Sequence, residues 1–377
     1  MSIKTRISCS AMFIVTIILI IQATLFQSTP SIATETNKVR IYNWSDYIGV
    51  DTLANFTKDV GLETNYDLYD NLELLEQKLL AGHSGYDVVV PGAEPTFARL
   101  IKTKAVQPID KKKIPNLINL DPDLMKRLES IDPGNKYGVI YQWGTIGLGM
   151  LPDKIKSLYP DAPLDSWDIL FKPENVSKLA KCGVTLMDSA ADVLPSVLHY
   201  LGLDPNSEKA DDLKKAEDLL RKIRPHIKAF VSGQNIHNLA NGGACLAFGY
   251  SGDMLQAKVR AKEAKNGVAV EYVSPKEGVQ IWFDVLAIPT DAPNLDGAHK
   301  FINYVLQSRV VAGISNVTQY ANAVPASWPM IDAEIRSNGA VFLSSEARAK
   351  MFVSKAVSLA TERLRRQIWT RIKIGVN

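Results

Sequence analysis

The sequence is poor in the residues that most enzymes use for metal or nucleophilic chemistry. It contains five histidines and three cysteines in 377 residues, and the histidines are scattered without the short spacing of a zinc site. It also lacks the Gly-x-Ser-x-Gly turn of serine hydrolases and a phosphate-binding P-loop. The glycines of GTIGLG, residues 144–149, have the wrong spacing for a dinucleotide-binding turn. The sequence therefore favours neither an enzyme nor a protein with a bound metal or cofactor.

An excess of charge of one sign is also missing. Lys and Arg number 43 against 40 Asp and Glu, the formal net charge is +3, and no basic run resembles a nucleic-acid-binding stripe. We therefore expect no nucleic-acid partner. The 46% of hydrophobic and 22% of charged residues are typical of a globular protein, and the length suffices for two domains of ordinary size.

One apolar run stands out, and it lies near the N-terminus. Lys4 and Arg6 precede it, it covers about 11–26, and the small-x-small pattern SIA follows, ending at Ala33. This order predicts a secretory signal peptide over residues 1–33. An uncleaved anchor is the alternative, because about 20 apolar residues suffice to span a bilayer. Nothing after Ala33 is apolar enough to span.

Two cysteines, Cys182 and Cys245, remain after such a cleavage. An even pair in an exported, oxidising compartment predicts a disulfide. The bond would close a long loop, worth roughly 4 kcal/mol in the chain-entropy model. Two unpaired buried thiols are the alternative, and two lone cysteines do not make a metal site.

The residues that follow the leader alternate between strand and helix patterns. Strands are predicted at 39–43, 62–70 and 86–92, with helices at 48–60 and 71–82 between them. This alternation is typical of a parallel sheet wrapped by helices. Ligand sites in such sheets form beyond the carboxyl ends of the strands.

A second α/β unit is predicted at about 145–283. Extended chain at 137–151 leads into it, and a strand at 281–289 returns from it. Its predicted elements are helices at 191–201, 210–223 and 252–264 and a strand at 245–250. Further helices are predicted at 296–307 and through 346–373. Two units joined by more than one crossing imply a cleft that opens and closes about a hinge, and such clefts are common small-ligand sites.

Aromatic and acidic side chains recur together at the predicted strand ends. The segments are Trp44-Ser45-Asp46-Tyr47, Tyr250-Ser251-Gly252-Asp253 and Trp282-Phe283-Asp284, with Tyr320 in TQYANAV. Such a set suits an organic cation, because a ring face attracts ammonium charge and covers methylenes while a carboxylate accepts from N–H groups. For each segment alone a structural role is the alternative, since Ser45 or Asp46 could cap a helix and Trp282 or Phe283 could belong to the core.

The chain resembles the periplasmic polyamine-binding proteins of ABC importers, the putrescine- and spermidine-binding family. The segments that carry the resemblance are IYNWSDYI, NLELLEQKLLAG, YDVVVPG, DSWDIL with KPEN, CGV, LGLDPNS, RAKEAKNGV and WFDVLAIP, from about Val39 to the C-terminus. The resemblance implies an α/β, bilobal type II periplasmic solute-binding protein fold. It also implies a periplasmic monomer without a cofactor that encloses a polyamine and delivers it to a membrane permease.

The two lobes, joined by a hinge, are assigned from these patterns. Residues 38–143 and 284–322 form lobe 1, and residues 144–283 and 323–377 form lobe 2. The ligand is expected between them.

The resemblance also implies roles for the aromatic residues of the site. Trp44 and Tyr250 would sandwich the alkyl chain of the ligand, while Trp282 and Tyr320 would wall the pocket. Similar proteins carry Trp at the position of Tyr250.

Polar contacts are implied in the same way. Asp46, Asp253 and Asp284 would hold the amines, and Asp192 stands where the family often places another carboxylate. Further polar contacts would come from Ser45, Tyr47 and the backbone of Gly92, where similar proteins have Ser.

The preferred amine stays open. In the family that the chain resembles, Trp at the position of Trp282 occurs more often in spermidine-binding members, whereas Ser45-Asp46 looks like a putrescine-type pair. Glu94 could meet an additional amine; the alternative is a solvated turn residue. Agmatine, 4-aminobutyrate or an amino acid are alternative ligands, although a ligand with a carboxylate needs a cation that the segments of the site lack. A periplasmic polyamine sensor is an alternative function.

Overall fold

The computed structural model describes residues 37–375, except for residues 46, 70, 71, 232 and 340. The predicted signal peptide with its cleavage site, and Asp46, therefore lie outside the described residues. Within them, no helix has both the length and the apolar character needed to cross a membrane.

The strands and helices follow one another along the described chain. The strands are β1 (Lys38–Trp44), β2 (Glu63–Tyr69), β3 (Val88–Val89), β4 (Val106–Gln107), β5 (Gly138–Met150), β6 (Val184–Met187), β7 (Ala229–Val231), β8 (Leu246–Tyr250), β9 (Glu271–Val273), β10 (Gln280–Pro289), β11 (Ala321–Asn322) and β12 (Phe352–Val353). The α-helices are α1 (Thr52–Val60), α2 (Leu72–Leu80), α3 (Ala98–Lys102), α4 (Pro122–Leu128), α5 (Pro152–Leu158), α6 (Asp168–Phe171), α7 (Pro173–Leu179), α8 (Ala190–Tyr200), α9 (Ala210–Ile223), α10 (Asn235–Ala240), α11 (Ser251–Ala264), α12 (Leu295–Val305), α13 (Ser308–Thr318), α14 (Ala333–Arg336), α15 (Ser345–Ala349) and α16 (Leu359–Ile374).

The alternation predicted between residues 39 and 92 is confirmed. Strand β1 lies between β2 and β3 and runs parallel to both. Helix α1 ends where the sequence predicted, at Gly61, whose φ of 77° is a conformation that glycine adopts without a steric penalty. The carboxyl ends of β1 and β2 therefore lie at the same edge of the sheet, where Trp44 pairs with Tyr69 in the register.

The sheet as a whole is mixed. Its strand order is β2-β1-β3-β10-β5-β8-β6-β7, with β4 and β12 also paired to β10, and β9 and β11 to β5. Strand β10 is antiparallel to its neighbours β3 and β5, and β5 is also antiparallel to β8. Strand β6 is parallel to both β7 and β8. The expectation of a parallel sheet thus holds for each half but not for the strands that join them.

Strands β5 and β10 are the long strands that connect the two halves. Both were predicted as extended chain, and every residue of β5 is buried, which explains its nearly continuous apolar and glycine composition. Their register shifts between Asp284 and Val285, because Tyr141 is an extra residue on β5 opposite that step. Such a bulge bends a strand and changes the direction of a side chain.

Two parts of the chain differ from the prediction. Helix α13 was not predicted, although its buried residues follow a helical period. The segment 346–373, predicted as helical throughout, instead contains α15, the short strand β12 and α16. Phe352 and Val353 pair with β10, and the Ser358 hydroxyl accepts from the Thr361 N–H, so that α16 begins anew after the strand.

The predicted disulfide between Cys182 and Cys245 is present, with 5.5 Å between the two Cα atoms. It connects the segment before β6 with the first residue before β8, and these two strands are parallel neighbours. Its sulfur atoms are buried. The described residues form one compact unit. The lobe boundaries given above stay a prediction.

Candidate functional site

The first part of the candidate site follows β1. The Trp44 ring packs against the ring of Tyr69 at the end of β2, with 4.5 Å between the centroids. Its indole Nε1 is buried and has no hydrogen-bond partner among the described residues. Ser45 is exposed, and Asp46 lies outside the described residues. The strand-end position predicted from the sequence therefore places Trp44 beside a second aromatic ring.

Tyr47 is held in the interior by its backbone. Its carbonyl oxygen accepts from the Tyr141 hydroxyl at 2.6 Å and from Asn43 Nδ2 at 3.3 Å. Tyr141 is the bulge residue of β5, so the irregularity of the sheet supplies this contact. The Tyr47 hydroxyl lies near the Asp284 carboxylate. Burial raises the pKa of Tyr47, and the negative charge of Asp284 raises it further.

Asp284 lies on the central strand β10 and is 8% exposed. Its backbone forms a bridge with Gly92, and a Cβ atom on Gly92 would lie 3.5 Å from its Oδ1. Burial raises the pKa of Asp284 to about 7, while the Tyr47 hydroxyl acts in the opposite direction. Asp284 thus stands next to the turn that follows β3, although it lies in the interior of β10 and not at a strand end as the sequence pattern predicted.

Asp253 and Asp192 each lie in the first turn of a helix, α11 and α8, respectively. The Tyr320 hydroxyl donates to Asp253 Oδ1 at 3.0 Å. Burial raises the pKa of Asp253 to about 6, against the opposing effects of Tyr320 and the Arg260 charge. Asp192 accepts from the Tyr250 hydroxyl at 3.1 Å and from Gln280 Nε2 at 3.4 Å, one bond to each carboxylate oxygen. Burial raises its pKa as well.

Four rings connect these carboxylates. Tyr47 and Tyr320 meet at 5.7 Å between centroids, Tyr320 and Trp282 at 5.0 Å, and Trp282 and Tyr250 at 5.6 Å. Each pair is edge-to-face, the geometry that the ring quadrupole favours. We call the series Tyr47, Tyr320, Trp282 and Tyr250 the ring chain. It passes from the segment after β1 to the end of β8, and so from predicted lobe 1 to predicted lobe 2.

The structure therefore brings together most of the predicted residues. Those joined by direct contacts are Tyr47, Gly92, Asp192, Tyr250, Asp253, Trp282, Asp284 and Tyr320. Trp44 is linked to them through Tyr69, whose raised pKa is due first to burial and then to the charge of Asp284. Ser45 is not joined to them by any of these contacts.

Three site residues were missed by the sequence analysis. Tyr69 follows the same rule that selected Trp44, because it ends the strand next to β1. Gln280 and Tyr141 could not be found in this way, since each acts through a partner distant in sequence, Asp192 and Tyr47.

Glu94 lies farther along the turn that begins at Gly92. Burial raises its pKa to about 7, while the backbone N–H of Ala356 and the charges of Arg99 and Lys355 act in the opposite direction. Its surroundings are thus a segment close to the C-terminus, and no contact joins it to the ring chain in the described part of the molecule.

The electrostatic character of the site is unusual for a protein interior. Asp284 is buried, and Asp192 and Asp253 are half-buried. Burial raises the pKa of all three, and among the basic side chains of the described residues only Arg260 acts against it, at Asp253. No group of three or more His, Cys, Asp or Glu residues in the described part of the chain is arranged to hold a metal ion. Buried carboxylates without compensating cations are costly, so the arrangement is suited to a cationic guest.

Comparisons with known proteins support this interpretation. A family model described as bacterial extracellular solute-binding protein matches residues 51–342. The chain is similar to the putrescine-binding periplasmic protein SpuD of Pseudomonas aeruginosa, with 48% identity over 341 residues that cover 90% of this chain and 93% of that protein. It is 47% identical over 359 residues to the putrescine-binding periplasmic protein PotF of Escherichia coli, covering 95% of this chain and 97% of that protein.

A solved structure is similar as well. It is that of the spermidine/putrescine ABC transporter substrate-binding protein PotD of Streptococcus pneumoniae, with a TM-score of 0.78 and 26% identity. The match covers 90% of this chain and 99% of that chain.

Proposed function

Because the chain belongs to the family of bacterial extracellular solute-binding proteins, we propose that it captures a polyamine in the periplasm and delivers it to the permease of an ABC importer. The α/β, bilobal solute-binding fold predicted from the sequence is the fold of the chain. The ligand class is putrescine, spermidine or both, and no enzymatic reaction is proposed.

One observation carries the proposal. Three carboxylates, the buried Asp284 and the half-buried Asp192 and Asp253, are connected by the ring chain, and among the described basic side chains only Arg260 lowers the pKa of one of them, Asp253. A linear diamine carries a positive charge at each end of an apolar methylene chain. Its ammonium groups would supply the positive charge that compensates the carboxylates, and its methylenes would lie against the rings.

Roles follow from the contacts of each carboxylate. Asp284 and Asp253 are proposed to accept the ammonium groups, because each retains unused acceptor positions beside one tyrosine. Asp192 has both oxygens engaged by Tyr250 and Gln280, so we assign it chiefly the placing of the Tyr250 ring. Asp46 is proposed as a further amine contact on the basis of its sequence.

The remaining residues are proposed to line the ligand. Trp44, Tyr250, Trp282 and Tyr320 would cover its methylenes, whereas Ser45, Tyr47 and the Gly92 backbone would supply polar contacts. The Tyr47 hydroxyl is buried beside the Asp284 carboxylate, so a ligand held by Asp284 would also lie next to this hydroxyl.

Capture is proposed to occur by closure of the two lobes. Lobe 1 would contribute Tyr47, Asp284 and Tyr320, and lobe 2 Tyr250, Asp253 and Trp282. A ligand that contacts both sets stabilises the closed form by its differential affinity for that form. We propose that the closed, liganded monomer docks on the permease after export by the signal peptide.

Titration calorimetry of residues 34–377 tests the proposal. Putrescine, cadaverine, spermidine, spermine and agmatine are compared with 4-aminobutyrate, whose carboxylate would lie among carboxylates and is expected to prevent binding. Thermal shift should show a stabilisation that grows with the concentration of the bound amine. Binding of 4-aminobutyrate in preference to every polyamine, or of none of the six compounds, would contradict the proposal.

A further inference from the structure

Two glycines of the site stand where the backbone does not require glycine. Gly252 lies in the first turn of α11, and Gly144 lies within β5. Neither has a positive φ. Glycine lowers helix stability relative to alanine and weakens a strand interior, so both positions carry a residue that local structure disfavours.

Space for aromatic rings explains both glycines. A Cβ atom on Gly252 would lie 2.5 Å from Cε2 of Tyr320 and closer still to Cζ and Cε1. A Cβ atom on Gly144 would lie 2.6 Å from Cζ2 of Trp282 and 2.9 Å from Oγ of Ser251. Non-bonded carbon atoms lie about 3.5–4.0 Å apart at their optimal separation, so a Cβ atom at either position would overlap the ring. Each ring therefore rests directly on the backbone of a glycine.

The Tyr320 ring has little freedom to move away. Its hydroxyl donates to Asp253, and its ring packs edge-to-face with the rings of Trp282 and Tyr47. Tyr320 is 6% exposed. A methyl group on Gly252 would displace this ring and with it the hydrogen bond to Asp253. The neighbouring Tyr47, whose hydroxyl lies near Asp284, would be disturbed from the other side.

We propose that Gly252 and Gly144 are positioning residues that set the places of Tyr320 and Trp282, and through Tyr320 the orientation of the Asp253 carboxylate. The inference rests on the proposed function, because it assigns these rings and this carboxylate to the ligand. It predicts that the smallest possible side chain at position 252 impairs binding although the backbone accepts it.

The first experiment compares Gly252→Ala with Gly313→Ala. Gly313 lies inside helix α13 with nothing within 4 Å of its added Cβ, and it is therefore a matched helical control. Both variants should fold, as judged by far-ultraviolet circular dichroism. By calorimetry, Gly313→Ala should bind putrescine and spermidine as the parent does, whereas Gly252→Ala should bind the preferred amine at least tenfold more weakly. Equal affinities for Gly252→Ala and the parent would overturn the proposal.

A double-mutant cycle separates positioning from a general effect on the helix. In a Tyr320→Leu background the ring is absent, so adding Gly252→Ala should change the affinity less than twofold. A tenfold loss in both backgrounds would refute the role assigned to Tyr320. If Gly252→Ala does not fold, Gly144→Ala tests the same principle at Trp282.

A measurement on the ligand-free protein keeps this inference distinct from the proposed function. The near-ultraviolet circular dichroism of the ring chain should differ between Gly252→Ala and the parent, and should be unchanged in Gly313→Ala. If no polyamine binds to the parent, the proposed function fails and this spectrum still decides whether Gly252 positions the ring. An unchanged spectrum for Gly252→Ala would contradict the inference by itself.

Discussion

At the scale of single residues, the site is governed by carboxylates that burial holds away from their ordinary ionisation. The pKa of Asp284 is raised to about 7 and that of Asp253 to about 6, from an ordinary value of 3.8, chiefly because burial disfavours the charged form. An ammonium group beside either carboxylate reverses this effect. Ligand charge and carboxylate ionisation are therefore coupled.

Binding should consequently release protons and strengthen as the pH rises from 5 to 8. Below its pKa, each carboxylate that must ionise lowers the apparent affinity by about tenfold for each pH unit. Calorimetry with putrescine and spermidine in buffers of different ionisation enthalpy measures the protons released. Affinities that do not change between pH 5 and 8, with no proton release at pH 6, would contradict the coupling.

The same shifts affect the stability of the ligand-free protein. Between pH 4 and 7 the folded state retains protons on Asp284 and Asp253 that the unfolded chain has already lost. The contribution of these two groups to the free energy of unfolding therefore decreases as the pH rises through this range. Urea unfolding measures the free energy of unfolding at each pH. Between pH 4 and 7 this free energy should decrease less in the Asp284→Asn variant than in the parent.

Substitution of the aspartates separates ligand contact from ring placement. Asp284→Asn removes a carboxylate proposed to meet an ammonium group, and we expect an affinity at least tenfold lower. Asp192→Asn retains an acceptor for the Tyr250 hydroxyl, so a smaller loss is expected. Calorimetry measures both variants at pH 8, where the parent carboxylates ionise most readily. A greater loss for Asp192→Asn would exchange the two proposed roles.

At the scale of elements, helix α16 lies where the chain of predicted lobe 2 meets predicted lobe 1. Arg99 on α3 forms two hydrogen bonds of 2.7 Å with Glu76 and a third contact of 3.3 Å with Glu362 on α16. Under the predicted boundaries, Arg99 and Glu76 belong to lobe 1 and Glu362 to lobe 2. The Arg99–Glu362 ion pair would therefore form when the lobes close and break when they open.

Glu362→Gln should therefore weaken amine binding slightly. Partly exposed ion pairs contribute about 0.2–1 kcal/mol, so the affinity should fall by about fivefold at most, and by less at high salt. Glu334→Gln is the control, because it breaks the pair with Lys262 at 3.4 Å within predicted lobe 2. If calorimetry gives the same amine affinity for Glu362→Gln and Glu334→Gln, the predicted lobe boundary or the role of the Arg99–Glu362 pair is wrong.

At the scale of the whole molecule, the mixed sheet and the disulfide determine how the halves are held. The central strands β5 and β10 are buried and antiparallel, and they connect the parallel strands on either side. The disulfide joins the segments that lead into β6 and β8 and closes a loop of 63 residues. It belongs to predicted lobe 2, and both of its sulfur atoms lie near the carbonyl oxygen of Leu179.

Removal of the disulfide should lower stability and leave binding intact. The closed loop is worth roughly 4 kcal/mol in the chain-entropy model, so the Tm of a Cys182→Ala, Cys245→Ala double variant should fall by several degrees. Calorimetry at 25 °C should give the parent affinity for the bound amine. Dithiothreitol should lower the Tm of the parent but not of the double variant; the same Tm for both proteins without reductant would contradict the expectation.

The sequence by itself determined the local elements and the chemical type of the site. Runs of apolar, β-branched and aromatic residues, helical spacing and the even cysteine pair are read from the sequence alone, and they located β5, β10, α11 and the disulfide. Aromatic and acidic residues at strand ends indicated a cationic guest. A first-turn aspartate such as Asp192 or Asp253 also suits a helix N-terminus, so the pattern could not separate the two roles.

Only the tertiary structure decided which side chains meet. The antiparallel joining of the halves, the bulge at Tyr141, and the bonds of Asp192 to Tyr250 and Gln280 depend on contacts between residues far apart in the chain. Strand β12 formed within a helical pattern because β10 offered it partners. Burial, which raises the pKa of Asp284, is likewise a property of the packed molecule, since it depends on what the rest of the chain places around that carboxylate.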